Sequence, residues 1–453
     1  MTPKQIQHLY WRAGFGISPK QLQKIASKSR IQIVDTLFSA SETVTPLKVN
    51  TSELEKISPK KILNNATIRK KAIDKSIEKI RELNVAWIER LANPKELLRE
   101  RMTLFWANHF VCEDKNIFHI QQYNNTLRYH ALGGFKAFVK AISKEAAMIK
   151  YLNNKQNRKE RPNENFAREL MELFTLGKGN YTENDIRESA RAFTGYNHNF
   201  AGEFHLKKLE HDYGIKTFFG KTGLFEGNDI IDIILEQKQC AQFICEKIYS
   251  YFVNDKLNTT HIDKMVAVFY PNYNIETLMR FVFTSDWFYN DINIGSKIKS
   301  PIDFLVGMNN IVSMEFKSPK DLLVLQKLLG QILLKPPNVA GWKGGKQWID
   351  SNTMLLRLKL PSVLLNEGYI YFKNEALSNF IKRRKGNKPP FEVISKWEYF
   401  KKEFQNIPIE NLKDYVLVSP INNGTVSLLN ELSKTSKQDY CIQLMSLPEY
   451  QMC

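Results

Sequence analysis

The chain has 453 residues, 43% hydrophobic and 12% aromatic, which is ample material for a sizeable core and too much for general disorder. Its 65 basic and 47 acidic residues leave a formal charge of +18, but lysine interleaves with glutamate, as over 70–82, and no nucleic-acid-binding motif accompanies the charge, so no nucleic-acid partner is expected. No run approaches the roughly twenty apolar residues of a membrane span. The five cysteines, Cys112, Cys240, Cys245, Cys441 and Cys453, are scattered and never spaced as metal-binding pairs. Together with an N-terminus that has no apolar signal core, they predict a cytoplasmic protein.

Helical periodicity dominates the first half. Residues 4–12 read as a helix, Arg12-Ala-Gly-Phe-Gly16 breaks it, and Ser18-Pro19 caps a second helix reaching about Phe38. A lone Gly-x-Gly with no strand before it is a packing turn rather than a nucleotide fingerprint. A Ser, Thr and Pro-rich connection over 39–59 precedes a long charged helix at 67–91. The next helix, opened by Asn93-Pro94, buries Leu97, Leu98, Met102, Phe105 and Trp106. On it Arg101, Phe105 and His109 stack at i, i+4 and i+8, which puts His109 at a helix end on a mostly buried face. Further helices follow at 117–132, carrying Arg128 and His130, and at 135–151, separated by Gly133-Gly134.

A polar basic loop at 153–161 leads into the most distinctive stretch, 161–177. Phe166, Leu170, Leu173 and Phe174 form one apolar stripe of a helix over 163–176, which Asn163 caps and Gly177 closes. Glu164, Arg168 and Glu172 form a second row, and Asn165 and Glu169 a third, so three carboxylates and a guanidinium crowd a short rod. Thr182-Glu-Asn-Asp185 then opens a helix ending near Gly195.

Between 197 and 225 the helical period disappears, and 204–210 followed by 214–219 reads as a small β-hairpin or irregular insert. It holds His198, His205 and His211, with Asp212 beside the last. Its Gly214 to Gly220-Lys221-Thr222 segment imitates a phosphate-binding loop, but five residues separate the glycines where four are needed. Helices resume at 228–236, 240–252, 260–270, 275–283, 301–312 and 319–333. The loop Lys335-Pro-Pro-Asn-Val-Ala-Gly-Trp342-Lys-Gly-Gly-Lys-Gln-Trp348 carries two tryptophans that either plug the core edge or line a cleft. A helix with Asn352 and Arg357 follows. Past Pro361 come a basic run at 382–388, a linker at 389–390 and a last short helix near 440–445. The expected architecture is mainly α, a multi-helix bundle-like array with the insert at 197–225. Residues 1–360 form the main helical domain and 361–453 a C-terminal cover or subdomain.

Arg12-Ala-Gly-Phe-Gly16, Arg101-Met-Thr-Leu-Phe-Trp-Ala-Asn-His109-Phe, Pro162-Asn-Glu-Asn-Phe-Ala-Arg-Glu-Leu-Met-Glu-Leu-Phe-Thr-Leu-Gly177, Ala192-Phe-Thr-Gly195 and Pro337-Asn-Val-Ala-Gly-Trp342 together resemble, in order, the bacterial "domain of unknown function 1800" family. The resemblance covers nearly all of 5–360 and departs at Asn153, where relatives often carry Asp. It implies a largely helical protein, often encoded beside a sulfatase-like or phosphatase-like partner, with many relatives exported. It implies no catalytic residues.

Two functions suit these residues. One is a helical partner, assembly or maturation protein with a basic surface, in which Glu164, Arg168 and Glu172 form a structural ion-pair network with Arg101 or Arg128. The other is a hydrolase-type enzyme, metal-dependent or acid/base, with a cleft between the 163–176 helix, His109, His130 and the His211/Asp212 insert. In it Glu169, Glu172, His109 and His211 act as acid, base or proton carrier, and Arg168, Arg101, Trp342 and Asn165 bind substrate or anion. A divalent metal, if present, draws on His109, His130, Glu169, His211 and Asp212, although their spacing matches no metal signature.

Overall fold

The computed structural model describes residues 1–366, 391–432, 434 and 436–453. The basic run at 382–388 and the linker at 389–390 lie outside the described residues. What is described is mainly helical, with three small two-stranded antiparallel sheets.

Helix boundaries follow local chemistry. Reciprocal capping boxes open Pro3–Ala13 (Thr2 with Gln5), Arg30–Ser39 (Ser29 with Gln32), Glu183–Ala192 (Thr182 with Asp185) and Pro301–Ile311 (Ser300 with Asp303). The Ser29 box explains why one helix expected from Ser18 to Phe38 is two, Pro19–Ile25 and Arg30–Ser39: a side chain that satisfies its own first-turn donors starts a new helix. The apolar helix expected over 135–151 likewise divides into Phe135–Ile142 and Ala146–Tyr151.

The insert at 197–225 is two hairpins. Tyr196–His198 pairs with Phe204–Leu206, and Lys216–Phe218 pairs with Lys221–Gly223. The imitation phosphate loop is the tight turn of the second hairpin, with Phe219 and Gly220 both at positive φ, 47° and 73°. A third pairing, Ser313–Phe316 against Val393–Lys396, joins segments far apart in sequence that periodicity did not mark as strands.

One hydrophobic cluster runs from Ile6 to Leu334, and a second gathers residues between Phe304 and Tyr450. Helix Pro301–Ile311 serves both: Ile302 and Val306 belong to the first, and Phe304, Leu305 and Met308 to the second. Trp11, Ile294, Val418 and Cys453 form a small cluster of their own. Among the described residues no helix is long and apolar enough to cross a membrane.

Candidate functional site: a basic cleft at the end of the Leu97–His109 helix

The stretch expected to form one helix over 163–176 changes its winding midway. Residues Asn165–Glu169 are α-helical, whereas Leu170–Thr175 are π-helical. Both Leu176 and Gly177 donate their amides to the Met171 carbonyl, at 2.8 and 3.1 Å. Wider winding interrupts the regular bonding ladder, and here the Phe174 carbonyl accepts from His109 Nε2, at 2.9 Å. Because a carbonyl only accepts, Nε2 carries the proton and Nδ1 is left as an acceptor. The His109 ring is buried among Phe105, Trp106, Phe110 and Phe174. That burial, reinforced by Lys247, holds its pKa down at about 3, so the imidazole is neutral at physiological pH.

The preceding residue anchors a second wall. Asn108 Oδ1 accepts from the Trp342 amide (2.7 Å) and Asn108 Nδ2 donates to the Trp342 carbonyl (3.1 Å). Gly341 sits at φ +80°, where a Cβ would come 2.4 Å from Asn108 Oδ1, so this junction excludes any side chain. Asn108 and His109 thus tie the 337–342 loop and the π-helical turn to one helix end.

Between these walls lies a cleft of about 460 Å³, within the ~300–1,000 Å³ typical of small-molecule sites. Its side chains include five cations, Arg12, Arg101, Lys247, Lys297 and Lys343, against two carboxylates, Asp255 and Asp303. The floor is buried. Arg101 ion-pairs with Asp303 through Nη1 and donates from Nε to the Arg12 carbonyl (3.2 Å). Burial opposes its charge, but Asp303 overrides that and raises its pKa. Asp303 is also the carboxylate of the Ser300 capping box, its Oδ2 accepting from the Ser300 amide at 3.0 Å. The cap of one helix therefore positions the charge on another.

Lys297 donates to the Ser250 carbonyl (2.6 Å) and pairs with Asp255, and burial lowers its pKa. Arg12, only 1% exposed, donates to the carbonyls of Val253 and Asn293 and to the Ser296 hydroxyl, and its Nη1 lies 3.8 Å from Cys453 Sγ. Its Nε has no partner among the described residues. Burial lowers its pKa to about 10, which leaves it charged at neutral pH. Lys247 and Lys343 are exposed at the rim, and neither forms an ion pair among the described residues. Trp342, Trp348 and Tyr251 supply aromatic walls, with the Arg101 guanidinium 5.0 Å from the Tyr251 ring centre.

Of the site residues read from sequence, His109, Arg101 and Trp342 meet in this cleft. The charged face of the 165–175 segment does not: only Leu173 lines the cleft. Arg168 pairs instead with Glu164 (3.2 Å) and Glu183 (2.9 Å) at the surface, and Glu172 accepts from the Tyr181 hydroxyl (2.7 Å). Glu169 is half-buried, its pKa raised by burial and by Glu172. Asn165 is exposed, its amide donating to Asn163 Oδ1. Neither arginine expected in that ion-pair network joins it, since Arg101 goes to Asp303 and Arg128 to the buried Glu100.

His211 is buried with Nδ1 2.7 Å from the Thr194 carbonyl, and Asp212 pairs with Arg191 (2.7 Å). His130 stacks on Phe138 and lines a separate surface depression. Among the described residues no three His, Cys, Asp or Glu side chains are grouped so as to hold a metal ion. All five cysteines are free and buried. Sequence reading missed Arg12, Lys247, Lys297, Lys343, Asp255 and Asp303 as site residues. Arg12 had a signal, its position at the head of a recognisable motif, and so did Lys343, next to Trp342 in the glycine-rich loop, whereas Lys247, Lys297, Asp255 and Asp303 come from scattered segments that carry none.

Fold and cleft together define a mainly helical protein with a basic cleft whose floor is buried. The chain belongs to the family described as "Protein of unknown function (DUF1800)", whose sequence profile matches residues 8–452, including the last ninety residues in which few motifs were visible. No curated protein and no solved structure matches it.

Proposed function

We propose that this protein is a non-catalytic binding partner whose cleft holds an anionic group of its ligand. The single observation that carries this reading is the excess of cations over side-chain carboxylates in a half-open cleft, with the Arg12 guanidinium buried, hydrogen-bonded to neutral groups and its Nε unpartnered among the described residues. A low-dielectric pocket strengthens attraction for an anion, and a fixed guanidinium fork matches the geometry of an oxyanion. Rim lysines add steering that salt screens.

The acid/base and metal-dependent readings draw less support. Glu169 and Glu172 lie away from His109's cleft, His211 and His130 are in other places, and Asp212 is committed to Arg191. A sulfatase-like or phosphatase-like protein, the partner implied by the family resemblance, is the first macromolecule to pair with this chain, which would then hold an oxyanion-bearing ligand and leave its cleavage to that partner.

The test is calorimetric titration of the full chain with inorganic phosphate and sulfate at low and high salt. Binding that weakens with salt, and falls roughly tenfold when Lys247 and Lys343 are both replaced by alanine, is the expected result. Absence of binding by the unaltered chain at millimolar anion and low salt overturns the reading.

A further inference from the structure

Resting on that anion-binding reading, the geometry points to an anionic sugar, a hydroxylated ring bearing a phosphate, sulfate or carboxylate, as the class of ligand the cleft accepts. Cations alone recognise any anion. Three further features of the same cavity ask for more.

His109 lines the cleft as a neutral ring whose Nε2–H is committed to Phe174, and its Nδ1 makes no hydrogen bond to the described residues. A neutral acceptor among cations has no use for a fully ionised oxyanion such as sulfate, which offers only acceptors, but it matches a hydroxyl. Second, Trp342 and Trp348 come from one glycine-rich loop and Tyr251 from the helix Lys238–Phe252, so flat apolar surfaces accompany the charges. The C–H face of a pyranose covers an indole while its rim stays polar, the combination of apolar body and polar tips that such side chains accommodate. Third, Ser250 and Gln347 line the same space as uncharged polar groups. A site built to bond hydroxyls rejects ligands lacking them more strongly than an apolar wall does, because its polar groups are then left unpaired.

The test is a titration series on the full chain with glucose 6-phosphate, glucose 6-sulfate, glucuronate, adenosine monophosphate, glucose, inorganic phosphate and inorganic sulfate. At least one of the three anionic sugars is expected to bind roughly tenfold or more tightly than glucose, adenosine monophosphate and the inorganic anions. His109→Gln keeps an amide donor for the Phe174 carbonyl but shifts the acceptor away from the ring Nδ1 position to the amide oxygen, and Trp348→Ala removes a half-buried aromatic wall. Each is expected to weaken the sugar about fivefold to tenfold, the size of one hydrogen bond or ring contact, while leaving inorganic anion affinity within about twofold.

If inorganic anions bind as tightly as every sugar, the inference fails and the anion-binding reading stands. Adenosine monophosphate binding more tightly than all three anionic sugars also overturns it, since a base would then be the stacked group. Failure of both inorganic anions at millimolar concentration and low salt removes the anion-binding reading and this one with it. Should His109→Gln lower the melting temperature severely, Trp348→Ala decides: unchanged sugar affinity in it sinks the proposal.

Discussion

Two groups of charges in this protein differ both in sequence and in space. Glu164, Arg168 and Glu172 sit on a helix in a crowded row, and the cleft's Arg12, Arg101 and Lys297 are dispersed between positions 12 and 297. The row is solvated and internally matched: Arg168 meets Glu164 and Glu183 with more than a third of each side chain exposed. The dispersed cations are buried, and Arg12 among them pairs with no side-chain carboxylate of the described residues. Density of charge along a helix is therefore a poor guide to a site, because neighbours at i+4 neutralise one another in water at little gain. Charge that is buried without a matching counter-ion is the better guide, since desolvating it is costly unless something else, here proposed to be a ligand, completes it.

The contrast can be broken experimentally, beginning with the buried side. Arg101→Met strands Asp303 in the floor and is expected to lower unfolding free energy by about 3–5 kcal/mol, as loss of one member of a buried pair does. Denaturant unfolding reads this directly. A loss under about 1 kcal/mol would show that the pair is solvated like the surface row.

Acid is the second probe. Unfolded histidine takes up a proton near 6.5, whereas the folded His109 resists until about 3. The unfolded chain therefore binds more protons in that interval, and His109 contributes stability that is present above 6.5 and lost as pH falls toward 3. His109→Gln should flatten this part of the stability profile measured from pH 7 to 4. An unchanged slope would mean the ring titrates as if exposed.

Asn108→Ala removes two hydrogen bonds to Trp342 and is expected to destabilise by about 1–3 kcal/mol and to loosen the 337–342 loop, with weaker anion binding as the functional readout. Smallest of all is Arg168→Ala. An exposed ion pair of this kind is worth about 0.2–1 kcal/mol, and anion affinity should not change. A clear loss of anion binding in this variant would return the functional weight to the helix row.

The sequence by itself determined the elements that local chemistry controls. Caps such as Thr182-Asp185, the apolar stripe Phe166, Leu170 and Phe174, and glycine at a helix end act within one or two turns, so the helical class and most helix positions were legible. His109, Arg101 and Trp342 were legible as site candidates for a related reason: each sits in a long motif with an unusual residue in a buried or glycine-rich setting. Partnership was decided by tertiary structure alone. Whether a carboxylate meets an arginine, as Asp212 meets Arg191, or Ser313–Phe316 pairs with Val393–Lys396, depends on segments whose separation along the chain carries no record of their distance in space. The π-helical turn at Leu170–Thr175 shows the same limit at short range. Its residues read as an ordinary α-helix, and its shifted hydrogen bonds coincide with the contact that His109, sixty-five residues earlier, makes with the Phe174 carbonyl.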